Sequence, residues 1–219
     1  MVNAVADWTR EELEKKLSNI KLAVTVPVNL QIEGKERILD LTEMKRILNE
    51  AKLISVGDCL CRKRLHRCNA PLDVCFGLDK RAKEFIKKGL ARKVSLEEAL
   101  DVLKRSHEAG LVHVTLMYQG KEKPEVICSC CSCCCHSLSG LIRFGMPDAV
   151  VASKYVAVLN PETCSNCGKC VVRCQFRARW MKKDKVKYDK TRCFGCGLCV
   201  TTCPTGSISL TDRTQSSGN

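Results

Sequence analysis

The 219-residue chain is 45% apolar but only 5% aromatic, so it can form one large domain or two small ones but has few large side chains to fill them. It carries a formal charge of +13, and its best apolar run, 141–159, is interrupted by Arg143, Asp148 and Lys154, which argues against membrane insertion. Eighteen cysteines, about 8% of the residues, exceed what packing needs. The charged start, with Asp7, Arg10, Glu11, Glu12, Glu14, Lys15 and Lys16, does not read as a secretory signal. The thiols therefore point to a soluble, reducing, cytoplasmic protein from an oxygen-poor setting, not to a disulfide scaffold.

Thr9-Arg-Glu-Glu12 is a capping-box pattern and predicts a short helix over 9–19, with Leu13, Leu17 and Ile20 on one face. Val24, Val26, Val28, Leu30 and Ile32 then alternate as in a half-buried strand, and Pro27 places that strand at an edge. Residues 42–52 predict an amphipathic helix carrying Met44, Ile47, Leu48 and Ala51, and the run Leu53 to Val56 leads to Gly57.

Cys59, Cys61, Cys68 and Cys75 follow within 17 residues, more than core filling requires. On an extended segment Cys59 and Cys61 would face the same side. Arg62, Lys63, Arg64 and Arg67 place positive charge beside these thiols, which favours thiolate, although a solvated basic face is the plainer alternative.

Asp79 to Lys88 reads as a helix stopped at Gly89. Ser95-Leu-Glu-Glu98 is a second capping box, followed at helical spacing by Leu96, Ala99, Leu100, Leu103 and His107. His107 reads as a partner of the helix dipole, not as a metal ligand. Leu111 to Tyr118 and Glu125 to Cys128 predict two strands joined around Gly120. A helix followed by two short strands is also the outline of a winged-helix DNA reader.

Cys128, Cys130, Cys131, Cys133, Cys134 and Cys135 fill six of eight positions and lead to His136. Adjacent cysteines in such numbers suit neither a core nor a disulfide framework, because vicinal disulfides are strained. With the earlier four they offer ten thiols, enough for one or two iron–sulfur clusters. Zinc and a redox-active thiol pair are the alternatives. His136 reads as a ligand or, more plainly, as a polar residue at a helix start.

Leu138, Leu141, Ile142 and Phe144 predict a helix ended by Gly145 and Pro147, and Val150 to Leu159 predicts a strand. Then Cys-x2-Cys-Gly-x-Cys-Val-x2-Cys occurs twice, as Cys164, Cys167, Cys170, Cys174 and, 29 residues later, as Cys193, Cys196, Cys199, Cys203, with Pro204 after the second copy. Eight thiolates so spaced suit two four-iron, four-sulfur cubanes; zinc sites usually pair two C-x2-C knuckles across a spacer. Gly168 and Gly197 would allow backbone amides close to cluster sulfurs. Between the copies, Arg177 to Tyr188 is basic and contains Trp180, which reads as a cover for the domain core or for a cluster. The tail from Thr211 to Asn219 is polar and reads as disordered.

The tandem motif resembles the bacterial-type two-[4Fe-4S] ferredoxin over residues 155–211, with Gln175 where that family usually has proline, which implies a looser turn there. The resemblance implies that Cys164, Cys167, Cys170 and Cys203 hold one cubane, and that Cys193, Cys196, Cys199 and Cys174 hold the other. A wider resemblance rests on Gly57-Asp-Cys-Leu-Cys-Arg62, Asn69-Ala-Pro-Leu-Asp-Val-Cys75, Ser95-Leu-Glu-Glu-Ala-Leu100, Ala109-Gly-Leu-Val-His113 and the run from Ile127 to Cys135. These are similar to a group of ferredoxin-type proteins from anaerobic bacteria and archaea with an N-terminal cysteine-rich module. That resemblance implies electron carriage and no particular substrate.

The resulting expectation is an α+β chain. Residues 1–150 would form a mixed helix-and-strand cysteine-rich domain, 151–211 a two-cluster ferredoxin domain, and 212–219 a disordered tail. Two cubanes, each about −2 when oxidised, reduce +13 to about +9, and a third leaves about +7. The residual charge suits steering of acidic redox partners, with no nucleic acid expected. Three functions fit: an electron carrier or redox-enzyme subunit, an oxidoreductase with its catalytic centre in the cysteine-rich module, or an iron–sulfur DNA-binding regulator. The first is the leading reading. No nucleotide-binding glycine loop is present, and acidic residues Glu97, Glu98, Asp101 and Glu108 on the candidate reading helix oppose phosphate approach.

Overall fold

The computed structural model describes residues 7–27 and 42–214. Thr9 caps helix α1 (Arg10–Leu17): its hydroxyl accepts from the Glu12 amide and the Glu12 carboxylate accepts from the Thr9 amide. Strand β1 (Ile20–Thr25) follows; Val28, Leu30 and Ile32 lie outside the described residues. Helix α2 (Thr42–Glu50) buries Met44 and Leu48, four residues apart on one face. The chain continues through β2 (Ile54–Asp58), α3 (Leu60–Leu65), β3 (Asp73–Leu78), α4 (Asp79–Lys87), β4 (Ala91–Val94), α5 (Leu96–Glu108), β5 (Val112–Tyr118) and β6 (Val126–Cys130). Sequence patterning misses β4 because this edge strand exposes Arg92 and Lys93 and buries only Val94.

These six strands form one antiparallel sheet in the order β1-β5-β6-β3-β2-β4. Alternation along the strands gives it two apolar faces. Ile54, Val56, Val74, Phe76 and Ile127 meet Leu13, Met44, Leu48, Val102 and Leu103 on one of them. Fully burying each such side chain contributes about 1.5–3 kcal/mol. The other face presents Ala23, Val112, Val114, Leu116, Val126 and Cys130 to Leu138 of α6 (His136–Arg143) and to Phe176 and Leu198. With β5 and β6 inside this sheet, residues 95–127 do not form a free wing.

The C-terminal part comprises β7 (Tyr155–Leu159), α7 (Lys169–Val172), the hairpin β8 (Arg179–Lys182) and β9 (Lys185–Tyr188), α8 (Leu198–Thr201) and β10 (Ile208–Asp212). Strands β7 and β10 pair antiparallel, with Tyr155 opposite Asp212. Arg213 donates to the carbonyls of Ser153 and Cys193, so order extends beyond residue 211; residues 215–219 lie outside the described residues. Trp180 on β8 is half-exposed, so it is not a core cover.

Polar contacts fasten this part to the sheet. Arg173 donates to the carbonyls of His107 and Glu108, both at 2.7 Å. Gln175 Nε2 donates to the Gly110 carbonyl at 3.0 Å, while its Oε1 accepts from the Ser132 amide at 3.0 Å and hydroxyl at 2.7 Å. The turn at 175 is therefore pinned, where the missing proline suggested looseness. Phe176 and Phe194 stack with centroids 4.4 Å apart, and Thr25 Oγ1 donates to the Phe194 carbonyl at 2.5 Å. His107 is not a charged dipole partner. It is buried, stacked on His113 and hydrogen-bonded to Thr201 Oγ1 at 2.7 Å.

Replacing Gln175 with Ala should lower stability by about 1–3 kcal/mol, since Ser132 and Gly110 lose partners. Anaerobic denaturation midpoints would show this, with iron content unchanged. Burial also lowers the pKa of His113 to about 3 and of His107 to about 4 from 6.5. The unfolded chain takes up protons that the native one does not. The stability these groups contribute is therefore complete above about pH 6.5 and lost as pH falls toward 4. His113→Gln should flatten that slope, measured as the difference between midpoints at pH 7 and pH 5.

Candidate metal centres

In the C-terminal part, α7 and α8 each follow a glycine with left-handed backbone, Gly168 at φ 72° and Gly197 at φ 79°. At these turns glycine avoids the Cβ penalty and leaves the helix amides open toward the cysteine loops. Cys174, Cys193, Cys196 and Cys199 line one small pocket with Phe176, Arg179, Tyr188 and Phe194. Cys203 lies close enough to Cys167 and Cys170 to influence their ionisation, as Cys164 does that of Cys170. Cys174 thus shares a pocket with Cys193, Cys196 and Cys199, and Cys203 lies near Cys167 and Cys170. Burial pushes the Cys196 thiol well up and Cys199 to about 12, so these ionise only when a cation takes the charge.

The ten N-terminal cysteines divide into two groups. The sulfurs of Cys68, Cys131, Cys133 and Cys134 all lie within 4.8 Å of one another. Cys59, Cys61, Cys75, Cys128, Cys130 and Cys135 instead line a cavity of about 160 Å³. Cys75 on β3 stands opposite Cys128 on β6, and Cys130, two residues on, faces the same side. Cys135 caps α6. The alternation argument fails for Cys59 and Cys61, which are not on extended chain: Cys59 caps α3, its carbonyl accepting from Lys63, and Cys61 lies inside that helix.

Around this cavity each thiol influences the ionisation of its neighbours, in the cyclic order Cys59, Cys75, Cys128, Cys130, Cys135, Cys61. Ionisation alternates around it. Hydrogen bonds from Cys61 and Cys75 lower Cys59 to about 3, and those from Cys130 and Cys75 lower Cys128 to about 5. Cys135 is held well down by Cys130 and Cys61. The donors Cys61, Cys75 and Cys130 are correspondingly raised by their bonds to these thiolates. Buried thiolates this close together oppose one another's ionisation, and metal would let all six deprotonate. The cavity is comparable with one of about 150 Å³ that admits benzene, so it has room for a compact metal–sulfur core.

Of the four basic residues at 62–67, Arg62 alone turns to the thiols. It is buried, with Nη2 3.1 Å from the Ser129 carbonyl and 3.7 Å from Cys131 Sγ, between the two groups. Lys63 pairs with Asp58, Arg64 with Glu12 and Arg67 with Asp7. His136 is the first residue of α6, and its Nδ1 lies 3.1 Å from Cys61 Sγ. The sequence reading passed over Trp8, whose Nε1 donates to the Cys134 carbonyl at 2.8 Å and whose ring meets His136 edge-on. A local signal was there: Trp8 precedes the cap Thr9 and joins Leu13 in the core, as in a hydrophobic staple.

Residues 157–210 match the family model of the 4Fe-4S dicluster domain. This part of the chain is a ferredoxin-type iron–sulfur domain. No curated protein matches the chain. Among the described residues no helix is long and apolar enough to cross a membrane.

Arg179 of the ferredoxin-type domain is buried, and neither Nη atom has a hydrogen-bond partner; the Tyr188 hydroxyl beneath it has none either. A buried cation without an acceptor is costly. Both groups line the pocket of Cys174, Cys193, Cys196 and Cys199, where an anionic cluster with sulfide acceptors would satisfy them. Removing this charge disfavours the added electron. Arg179→Leu should therefore lower a cluster's reduction potential by on the order of tens of millivolts, read by EPR-monitored titration.

Proposed function

We propose that this protein transfers low-potential electrons through two ferredoxin [4Fe-4S] clusters to or from an iron–sulfur centre in its N-terminal cysteine-rich domain. In this reading residues 1–150 house that centre and residues 151–211 the two cubanes. The observation that carries it is a shared apolar core in which Cys174 and Cys196 pack with Cys128 and Cys130 of the sheet and with Cys135, the cap of α6. The cubane of Cys174, Cys193, Cys196 and Cys199 would lie next to the six-thiol ring. The other, held by Cys164, Cys167, Cys170 and Cys203, would face outward, where Cys167 is exposed. A redox protein partner would dock there, steered by the chain's net positive charge. A reducing cytoplasm suits so many free thiols. Nucleic acid is not expected in this reading, in which β5 and β6 pair within the six-stranded sheet.

Cys203→Ala should remove one cubane, about four irons and four sulfides per chain with one EPR signal, and Cys174→Ala the other. Unchanged iron content and spectra in these variants would reject the ligand assignment.

One observation favours a second reading, an oxidoreductase. Six ring thiols exceed the four that a cubane takes, and the cavity opens among Leu60, Phe85, Leu90 and Tyr118. A reactive iron or thiol there would make the ferredoxin half its electron supply. Anaerobic EPR with candidate disulfides should then show substrate-dependent shifts, and their absence would count against it.

A further inference from the structure

We propose that Cys68, Cys131, Cys133 and Cys134 bind a single tetrahedral divalent metal ion of the zinc class, at a site separate from every iron–sulfur cluster. The four sulfurs stand unusually close together. At a metal–sulfur distance of about 2.3 Å, the edge of a tetrathiolate tetrahedron is about 3.8 Å. Cys68 and Cys131 are 3.7 Å apart, as are Cys133 and Cys134, and no separation within the group exceeds 4.8 Å. Thiolates on the four corners of an iron–sulfur cube each bind a different iron and stand roughly 6 Å apart. Among the described residues, no other cysteines converge as these four do, the eight of the ferredoxin-type domain included.

The surroundings suit such an ion. All four cysteines are free, and adjacent Cys133 and Cys134 would form only a strained disulfide. Four thiolates and a divalent cation carry about −2, and the Arg62 guanidinium beside Cys131 offsets part of that. Cys131 and Cys134 are buried while Cys68 and Cys133 are half-buried, which leaves an entry route. The ion would tie the loop between α3 and β3 to the turn between β6 and α6. That turn also bears Ser132, held by Gln175, and the Cys134 carbonyl, held by Trp8, and its two ends are the ring thiols Cys130 and Cys135. The site would therefore act as a structural staple that sets the ring's geometry.

The test uses the full chain, purified anaerobically, with zinc, iron and sulfide measured per chain. About one zinc is expected beside the iron, and Cys68→Ser and Cys133→Ser should each lose it while iron and sulfide stay unchanged. Supplying Co²⁺ in place of zinc should give sulfur-to-cobalt charge-transfer and tetrahedral ligand-field bands in the wild type, which does not depend on either variant folding. One high-spin iron without matching sulfide, lost in the same variants, would also uphold a single-ion site. Loss of about four irons and four sulfides on Cys68→Ser would overturn it. So would a wild type with neither zinc nor a cobalt signature and all of its iron matched by sulfide. Cys203→Ala tests the ferredoxin clusters separately, so failure of either idea leaves the other readable.

Discussion

Neighbouring thiolates repel, and this chain gathers ten cysteines from α3, β3, β6 and the loop and turn beside them into two groups. The interior offers little compensating charge. Arg62 is the basic residue of its cluster that faces the sulfurs, while Lys63, Arg64 and Arg67 are engaged with Asp58, Glu12 and Asp7. Within the ring, neighbouring thiols pull one another's ionisation in opposite directions, Cys59, Cys128 and Cys135 downward and Cys61, Cys75 and Cys130 upward. Such an arrangement is a ligand set awaiting cations, because metal replaces the protons and removes the repulsion together. The sheet, the caps and the inter-part contacts all serve to keep these sulfurs close despite that cost.

The stretch from Cys128 to His136 shows how economically this is arranged. As the end of β6 it presents Cys128 and Cys130 to one face; as a tight turn it presents Cys131, Cys133 and Cys134 away from them; as the start of α6 it returns Cys135 to the ring. The change from strand to turn to helix sorts consecutive cysteines into two centres. Gln175 then joins this turn to the ferredoxin-type domain, one residue after Cys174. The two hydrogen bonds it accepts from Ser132 link the turn between Cys131 and Cys133 directly to the residue after Cys174, so the parts cannot shift without disturbing both.

What could be read from sequence was local. The capping boxes located α1 and α5, alternation located β5 and β6, and the tandem cysteine spacing located the iron–sulfur domain that the family model matches. What could not be read depended on pairing across the chain. The division of ten cysteines into four and six follows from Cys75 standing opposite Cys128, a register set by β3 meeting β6. Cys59 and Cys61 misled because alternation was applied to a helix cap, where the chain turns instead of extending. Gln175 looked like a weakened turn because its three partners lie in other segments.

Distances between sulfurs carry a further consequence. Sulfurs spread around a cavity leave room for inorganic sulfide between metals, whereas sulfurs in mutual contact leave room for one ion only. The chain contains both arrangements within a few residues, and they suit different tasks. A zinc-class ion does not change oxidation state, so on the proposed assignment it cannot relay an electron and contributes only rigidity. Electrons entering at the exposed side near Cys167 and passing the pocket of Cys174 would then have the six-thiol ring as their last stop. On the second reading, a relay ending beside that cavity would deliver electrons to a bound molecule. The ring would then be where the electrons are used, and the ferredoxin-type domain would be their supply.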